Sequence, residues 1–403
     1  MATDRSTAGS VGLRAPQRRR RTMTDVVDLG LPFDPILAFA AIALTVCSVV
    51  GLAGATDGNA FVVRQTAYGV LGVLIAALVS RVDYVRWQAI RWPLYAFMVG
   101  SILAVAFLGQ SVNGSTLSIN VGFFSFQASE LGKVLVAIVA ASFIVERRGA
   151  VHAWPTTIGV LLLAVVPAGL TADFGTSLVY GAIALAVLLI GGTPGRHLAI
   201  IGTIGVVVVV STLGLLPAAG VNVLKGYQAD RITAFLSPNK EQSVPVGQID
   251  PRYQLKQAKA AIGSGQKTGR GDEATQAKLG YLPEQQTDFI FASIGERYGF
   301  VGTAAILSLF ALMMWRGLRI LSTARDFYGA VLAAGILAML LFQVLVNAGM
   351  NVGIMPITGI PLPLVSYGGS SVLSTYLAIG LLQAIYAQGR AAARRGPTVD
   401  RTD

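Results

Sequence analysis

Asp288 is the residue placed best to do chemistry. It lies in the run Leu282-Pro283-Glu284-Gln285-Gln286-Thr287-Asp288-Phe289-Ile290-Phe291, where a long polar segment gives way to apolar sequence. A carboxylate held at such a boundary is poorly solvated, so its pKa is expected to rise towards the range useful for proton transfer. Thr287 and Asp288 are also good N-cap residues, and capping the next helix is the plainer role; the two roles can coexist. Glu130 and Lys133 stand three residues apart in the first turn of an apolar span, on one helical face. Either charge alone there would cost about 2.5–3.5 kcal/mol. They form either a self-compensating pair or a polar pocket in which Lys133 meets an anionic head group. Asp173, followed by Gly175 and Thr176, either faces the same pocket or caps a helix.

Two weaker signals lie in the long polar segment. Arg231 is central to a helix-compatible stretch, Tyr227 to Phe235, and a second such stretch runs from Tyr253 to Ile262. Gly263 to Gly271 is a basic, glycine-rich turn without P-loop spacing. Its backbone N–H groups and Arg270 could cradle a phosphate, although a flexible loop is the simpler expectation. His152, His197 and Cys47 are far apart in the sequence. No metal-ligand cluster and no serine–histidine pair follows from them, which argues against zinc chemistry and hydrolytic triads.

These residues must be positioned by a membrane bundle. The chain is 54% hydrophobic and 13% charged over 403 residues, the balance of a polytopic membrane protein. Windows able to cross about 30 Å of hydrocarbon need ~17–25 apolar residues. Candidates are Ile36–Ala53, Thr66–Ser80, Leu94–Leu108, Ala128–Val145, Trp154–Leu170, Ser177–Ile190, Leu198–Leu216, Gly299–Trp315, Phe327–Gly349 and Val372–Ala387. The expected fold is therefore an all-α polytopic membrane protein with about ten transmembrane helices.

The net charge of +11 is not a nucleic-acid signal. With the N-terminus inside, cytoplasmic segments hold 19 of the 31 basic residues, and the short outer loops keep only Arg64. Both termini are expected to be cytoplasmic, with one long extracytoplasmic loop, 217–298, between helices 7 and 8, so Asp288 falls on the outer face. Residues 1–30 read as a disordered basic cytoplasmic tail, 31–390 as the membrane domain and 391–403 as a second cytoplasmic tail. The basic run Arg18 to Arg21 is followed by acidic and polar residues, which does not fit a cleavable signal. Outer segments 109–127 and 350–371 are too rich in glycine, proline and polar residues for regular helix. Non-helical backbone at membrane depth persists only against protein or a wet cavity.

Four separated motifs together resemble one family, the SEDS proteins (shape, elongation, division and sporulation). They are Phe126-Gln127-Ala128-Ser129-Glu130-Leu131-Gly132-Lys133, Asp173-Phe174-Gly175-Thr176-Ser177, Leu282 to Phe291 followed by Gly295-Glu296, and Pro356 to Ser371. The resemblance runs from about residue 34 to 390. It implies ten transmembrane helices, both termini inside the bacterial cytoplasmic membrane, and a glycosyltransferase that polymerises lipid II into peptidoglycan on the outer face. It places the catalytic aspartate at Asp288 and polar-cavity residues at Glu130, Lys133 and Asp173. Arg231, Arg270, Glu284, Thr287, Ser366 and Ser370 join these as substrate-binding candidates. No cofactor is called for, and a divalent cation remains an option that no ligand cluster supports.

The implied partners are lipid II, polyprenyl-pyrophosphate-linked glycan, membrane lipids and a class B penicillin-binding protein supplying the transpeptidase. The tails and Tyr281 to Phe291 are more similar to the elongation branch (RodA) than to the division branch (FtsW). This chain departs from the family at Leu117-Ser118, where Arg-Trp is usual, and at Ala128 and Ala172, where proline is usual. It departs again at Gln266, where glycine is usual, and at Arg270, where lysine is common. A lipid flippase or transporter, or a non-catalytic scaffold for wall assembly, are the rival functions.

Overall fold

The computed structural model describes residues 32–55, 59–112, 115–122, 124–171, 173–212, 231, 233–235, 250–274 and 281–395. The expected tail 1–30 and most of the 217–249 segment lie outside the described residues. The helices are α1 (Pro35–Ala55), α2 (Asn59–Ser80), a short α3 (Val85–Ala89), α4 (Arg91–Leu108), α5 (Ala128–Glu146) and α6 (Trp154–Thr171). They continue as α7 (Phe174–Ile190), α8 (Gly195–Val210), α9 (Pro251–Gly265), α10 (Ile290–Ser322), α11 (Phe327–Val352) and α12 (Gly369–Arg395). Eight of them (α1, α2, α4, α5, α6, α10, α11 and α12) are long and apolar enough to cross a membrane. Helices α7 and α8 are apolar but shorter. The ten predicted spans thus correspond to ten helices only when those two are counted, and the chain is an integral membrane protein.

The bundle is built around α5, which is buried from Ala128 to Ile144 on every face except at Leu131. A helix apolar all round has no side to give to solvent and sits in the middle. At one end of the bundle the first and last membrane helices are tied together. The Asp34 amide donates to Gln383 Oε1 (2.7 Å), Gln383 Nε2 donates to Asp34 O (2.9 Å), and the Arg316 guanidinium pairs with the Asp34 carboxylate. Tyr84 donates to Asp326 (2.9 Å) and Arg91 pairs with Glu146 (2.6 Å) at the same end. The start of α1 and the end of α12 therefore share one side, as an even number of crossings requires.

One outer loop adds a small sheet to the helical bundle. The segment predicted only as irregular, 109–127, forms a three-stranded antiparallel sheet in the order β1 (Gln110–Val112), β2 (Ser115–Val121), β3 (Phe124–Phe126), with Ile119 opposite Phe126. Leu117-Ser118-Ile119-Asn120-Val121 alternates apolar and polar, the period of a strand. Gly122, at φ 72°, supplies the turn into β3.

Helix α9 is the predicted Tyr253–Ile262 helix with one turn added. Asp250 caps it by accepting from the Arg252 amide (2.8 Å), and Pro251 occupies the first helical position. Leu255, Ala258, Ala261 and Gly265 form its buried stripe against α10. Helix α10 itself begins nine residues before the predicted span and breaks at Gly299 (φ 63°, ψ −159°). Its lead-in, Ile290 to Glu296, is buried throughout.

The glycine-rich turn after α9 docks onto that break. The Arg270 amide donates to Glu296 O (2.9 Å), Phe300 to Gln266 O (2.9 Å) and Val301 to Lys267 O (3.1 Å). The turn is therefore a clamp on α10 and not the flexible loop expected. A Cβ at Gly265 would lie 1.9 Å from Gly295 O, whereas one at Gly263 meets nothing within 4 Å. Gly265→Ala is expected to lower stability by about 1–3 kcal/mol, the usual penalty of overpacking. Gly263→Ala should leave it unchanged or slightly raised, and thermal unfolding of the two variants in detergent compares them directly.

Candidate active site

The end of the bundle opposite the Asp34–Arg316 pair gathers the four motifs. Its framework is the irregular segment between α11 and α12, whose backbone is held by side chains instead of by helix or sheet. Asn347 Nδ2 donates to Ile360 O (2.9 Å) and Ser48 Oγ to Val365 O (2.6 Å). Gln65 Nε2 reaches Ser366 O (3.3 Å), and the Gly368 amide reaches Gln65 Oε1 (3.4 Å). Ser366 Oγ accepts from the Leu362 amide (2.8 Å) and donates to Thr287 O (2.6 Å). The Tyr367 amide donates to Gln286 O (2.8 Å), which fastens this segment to the turn that carries Asp288.

That turn is tight. Glu284 has φ 52°, and its carbonyl accepts from the Thr287 amide (3.1 Å) and the Phe289 amide (3.2 Å). Thr287 Oγ1 donates to Glu284 Oε2 (3.0 Å). The Asp288 carbonyl accepts from both Asn347 Nδ2 and Asn351 Nδ2, each at 3.1 Å. Asn351 Oδ1 in turn accepts from the Ala292 amide in the first turn of α10 (3.1 Å). The capping role allowed for Asp288 is not realised. The N-cap of α10 is Phe289, no side chain caps it there, and Asn351 serves the amide instead. The Asp288 carboxylate is left for other work.

The carboxylate points to the irregular segment. A Cβ built at Gly359 (φ 74°) would sit 3.6 Å from Asp288 Oδ2, 3.2 Å from Arg231 Nη1 and 3.9 Å from Arg231 Nη2. Asp288 and Arg231 therefore converge on the one residue that has no side chain to separate them. Burial by the surrounding protein pushes the Asp288 carboxyl up to about 6. The Arg231 charge pulls against that shift, and the negative charges of Glu284 and Asp173 add to it. Asp288 nevertheless remains only half-buried.

The other expected site residues divide. Asp173 does cap α7, accepting from the Gly175 and Thr176 amides (3.1 and 3.3 Å), yet its charge is felt at Asp288. The start of α7 also packs on the irregular segment, where a Cβ at Gly175 would lie 2.7 Å from Thr358 O. Glu130 and Lys133 form the self-compensating pair, at 2.7 Å and only 4% and 2% exposed. Tyr180 donates to the Ser129 carbonyl beside them (3.2 Å). Ser370 Oγ accepts from the Gln127 amide (2.9 Å) and donates to Ser125 O (2.7 Å), tying α12 to β3. Arg270 is exposed on the clamp, whose Gly269 and Arg270 amides are engaged by Gly265 O and Glu296 O and so do not form an open phosphate cradle. Among the described residues, no three His, Cys, Asp or Glu side chains are grouped to hold a metal ion.

Sequence reasoning missed Asn347, Asn351, Gln65 and Ser48. The signal was present for the asparagines: two amides four residues apart in an otherwise apolar span, on one face. Polar groups that expensive are placed to meet something.

Comparison with known proteins bears on all of this. The profile of the cell cycle protein family of FtsW, RodA and SpoVE matches residues 33–391. The probable peptidoglycan glycosyltransferase FtsW of Hahella chejuensis is 32% identical over 376 residues, spanning 90% of this chain and 91% of that one. The peptidoglycan glycosyltransferase MrdB of Escherichia coli (strain K12) is 33% identical over 374 residues, spanning 91% and 96%. Among solved structures, a chain from a peptidoglycan synthase complex, studied for how it coordinates polymerization and crosslinking, superposes with a TM-score of 0.74 at 28% identity. The match covers 89% of this chain and 99% of that chain.

Asn347→Leu removes the shared donor of the Asp288 and Ile360 carbonyls. The Asp288 carbonyl keeps Asn351 Nδ2, so the expected loss is about 1–3 kcal/mol for the one carbonyl, that of Ile360, left buried without this partner. A lowered thermal midpoint in detergent, larger than that of a Leu substitution at exposed Thr66, checks it.

Proposed function

Because the chain belongs to the FtsW, RodA and SpoVE family of cell cycle proteins, the SEDS family, we propose that it is a peptidoglycan glycosyltransferase. It joins lipid II disaccharide-pentapeptides into glycan strands on the outer face of the bacterial cytoplasmic membrane, with Asp288 as the base. The observation that carries this reading is the freedom of the Asp288 carboxylate. It is excused from capping α10, half-buried, and set beside Arg231 at Gly359.

The chemistry needs one base. Asp288 takes the proton from the acceptor 4-hydroxyl as that oxygen attacks the anomeric carbon of the donor. The bond from that carbon to the diphosphate breaks, and the polyprenyl diphosphate leaves with the electron pair. It is a good leaving group, so the second carboxyl acid used by glycosidases is unnecessary. Direct attack inverts an α-linked donor to a β-linked product. Arg231 is the cation nearest the base and stabilises charge developing on the diphosphate. Asp173 and Glu284 keep the base's affinity for protons high. Lys133, sealed with Glu130, contributes to the polar ground beneath the site. Arg270 serves further out, on the clamp, and Thr287, Ser366 and Ser370 act by holding the backbone that substrate meets.

The chain is proposed to work with a class B penicillin-binding protein that crosslinks the strands, which the synthase-complex relative supports. The Tyr281 to Phe291 stretch supports a role in elongation. A carrier would gather its charges near the midplane, whereas here Asp173, Glu284, Asp288 and Arg231 collect at one end.

Asp288→Asn is expected to lower polymerisation of purified lipid II by about 10²–10⁴-fold, the range for loss of a positioned base, with membrane insertion and thermal midpoint retained. Polymerisation at the wild-type rate would end the assignment. The pH profile has a definite sign. The base works deprotonated, so with its pKa raised to about 6 kcat/KM should be level above that value and fall about tenfold per unit below it. Arg231→Gln removes the charge that opposes the shift, so the break in the profile should move to higher pH.

A further inference from the structure

Arg64 is the one basic residue that the short outer loops retain, and no role described above uses it. It lies near the outer end of α2, exposed, and among the described residues it has no salt-bridge partner. One turn along α2, the Tyr68 ring lies against Tyr367 (6.3 Å, 49°), and the Arg64 guanidinium is close enough for its charge to act on the Tyr68 phenol. Phe61 closes on the edge of the Tyr367 ring (4.9 Å, 83°), and Phe124 of β3 packs against Tyr68 (6.1 Å, 72°).

This shelf is joined to the base by backbone. The Tyr367 amide donates to Gln286 O, two residues before Asp288. Gln65, next to Arg64, is fully buried and holds both Ser366 O and the Gly368 amide. Arg64 thus stands on a helix tied to the turn that carries Asp288, on the side of the bundle that α2 turns to lipid. Leu71, Leu74 and Leu78 run down that helix from Arg64, all exposed.

The polymerase reading, on which this inference rests, sets a geometric demand. Both substrates are lipid-linked, so two diphosphates must sit at head-group depth at once, and their like charges must be kept apart. The donor's diphosphate is bonded to the carbon under attack and must lie beside Asp288 and Arg231. The acceptor presents its hydroxyl from the sugar farther from its own diphosphate, which therefore lies a disaccharide's length away from the base. We propose that Arg64, beside the Tyr367 ring, binds the diphosphate of the lipid-linked acceptor, whose polyprenyl chain lies along the exposed leucines of α2. An arginine fork suits the oxygens of a phosphate, and a lipid carried in the outer leaflet reaches it without leaving the bilayer.

The test uses the full-length protein in phosphatidylcholine micelles with lipid II as the probe. Arg64→Gln is expected to raise the half-saturating lipid II concentration about tenfold, with the saturating rate within about twofold, the signature of lost binding common to ground and transition states. Arg64→Lys, which keeps a point charge, should recover most of that shift. In the Asp288→Asn background, which cannot turn over, Arg64→Gln should reduce bound lipid II from two molecules per chain to one. An unchanged half-saturation, two lipids still bound, or equal displacement of the second lipid II by phosphatidylglycerol would each overturn the proposal, the last by showing a general anchor for anionic head groups. Because wild type against Asp288→Asn tests the polymerase reading separately, its failure is distinguishable from failure at Arg64.

Discussion

Backbone that is neither helix nor sheet cannot sit at membrane depth unless protein satisfies it, and every feature of the candidate site follows from how that demand is met. The segment from Gly353 to Gly368 carries three prolines and turns repeatedly, so its carbonyls have no regular partners. Asn347, Ser48 and Gln65 supply them one by one, and Ser366 reaches out from the segment to Thr287 O. The same asparagine that holds Ile360 O also holds the carbonyl of Asp288. The irregular segment and the turn that bears the base are therefore one hydrogen-bonded object, fixed by helices that do cross the membrane.

The charges follow a second logic. Glu130 and Lys133 answer each other inside α5 and are almost wholly enclosed. Asp173 is absorbed by the first turn of α7. Asp288 is different: the helix it precedes is capped by Asn351, and among the described residues the cation set against its carboxyl is Arg231. A carboxylate in poor solvent, with two acids and one guanidinium in its field, takes up protons more readily than one in water. Gly359 makes the meeting possible, since a left-handed backbone without a side chain leaves room for both groups.

Much of the bundle was legible in the sequence because its physics is one-dimensional. Apolar length finds spans, and the positions of Lys and Arg orient them. Helix α9 was visible from the helix-compatible pattern of Tyr253 to Ile262, although its Asp250-Pro251 start was not read there. What stayed hidden depended on partners distant in the chain. The capping role of Asp288 looked natural until Asn351, 63 residues on, was found doing that work through Ala292. The alternation through Leu117 to Val121 announced β2, yet the glycine and asparagine around it masked the signal. The turn Gly263 to Gly271 looked loose because its composition is loose, whereas Gly265 and Gly269 are there to let two backbones touch. The motifs around Glu130, Asp173, Asp288 and Ser366 could be named from sequence, but which of them would be enclosed and which left open could not.

The break in α10 at Gly299 does not free its two pieces from each other. Before it the Arg270 amide donates to Glu296 O, and after it the Phe300 and Val301 amides donate to Gln266 O and Lys267 O. The piece that follows Gly299 turns part of its surface to lipid and must answer to bilayer thickness by tilting, as any spanning helix does under hydrophobic mismatch. A change of tilt there is carried through the clamp to the helix start that follows Asp288, which gives the surrounding lipid a mechanical route to that carboxylate.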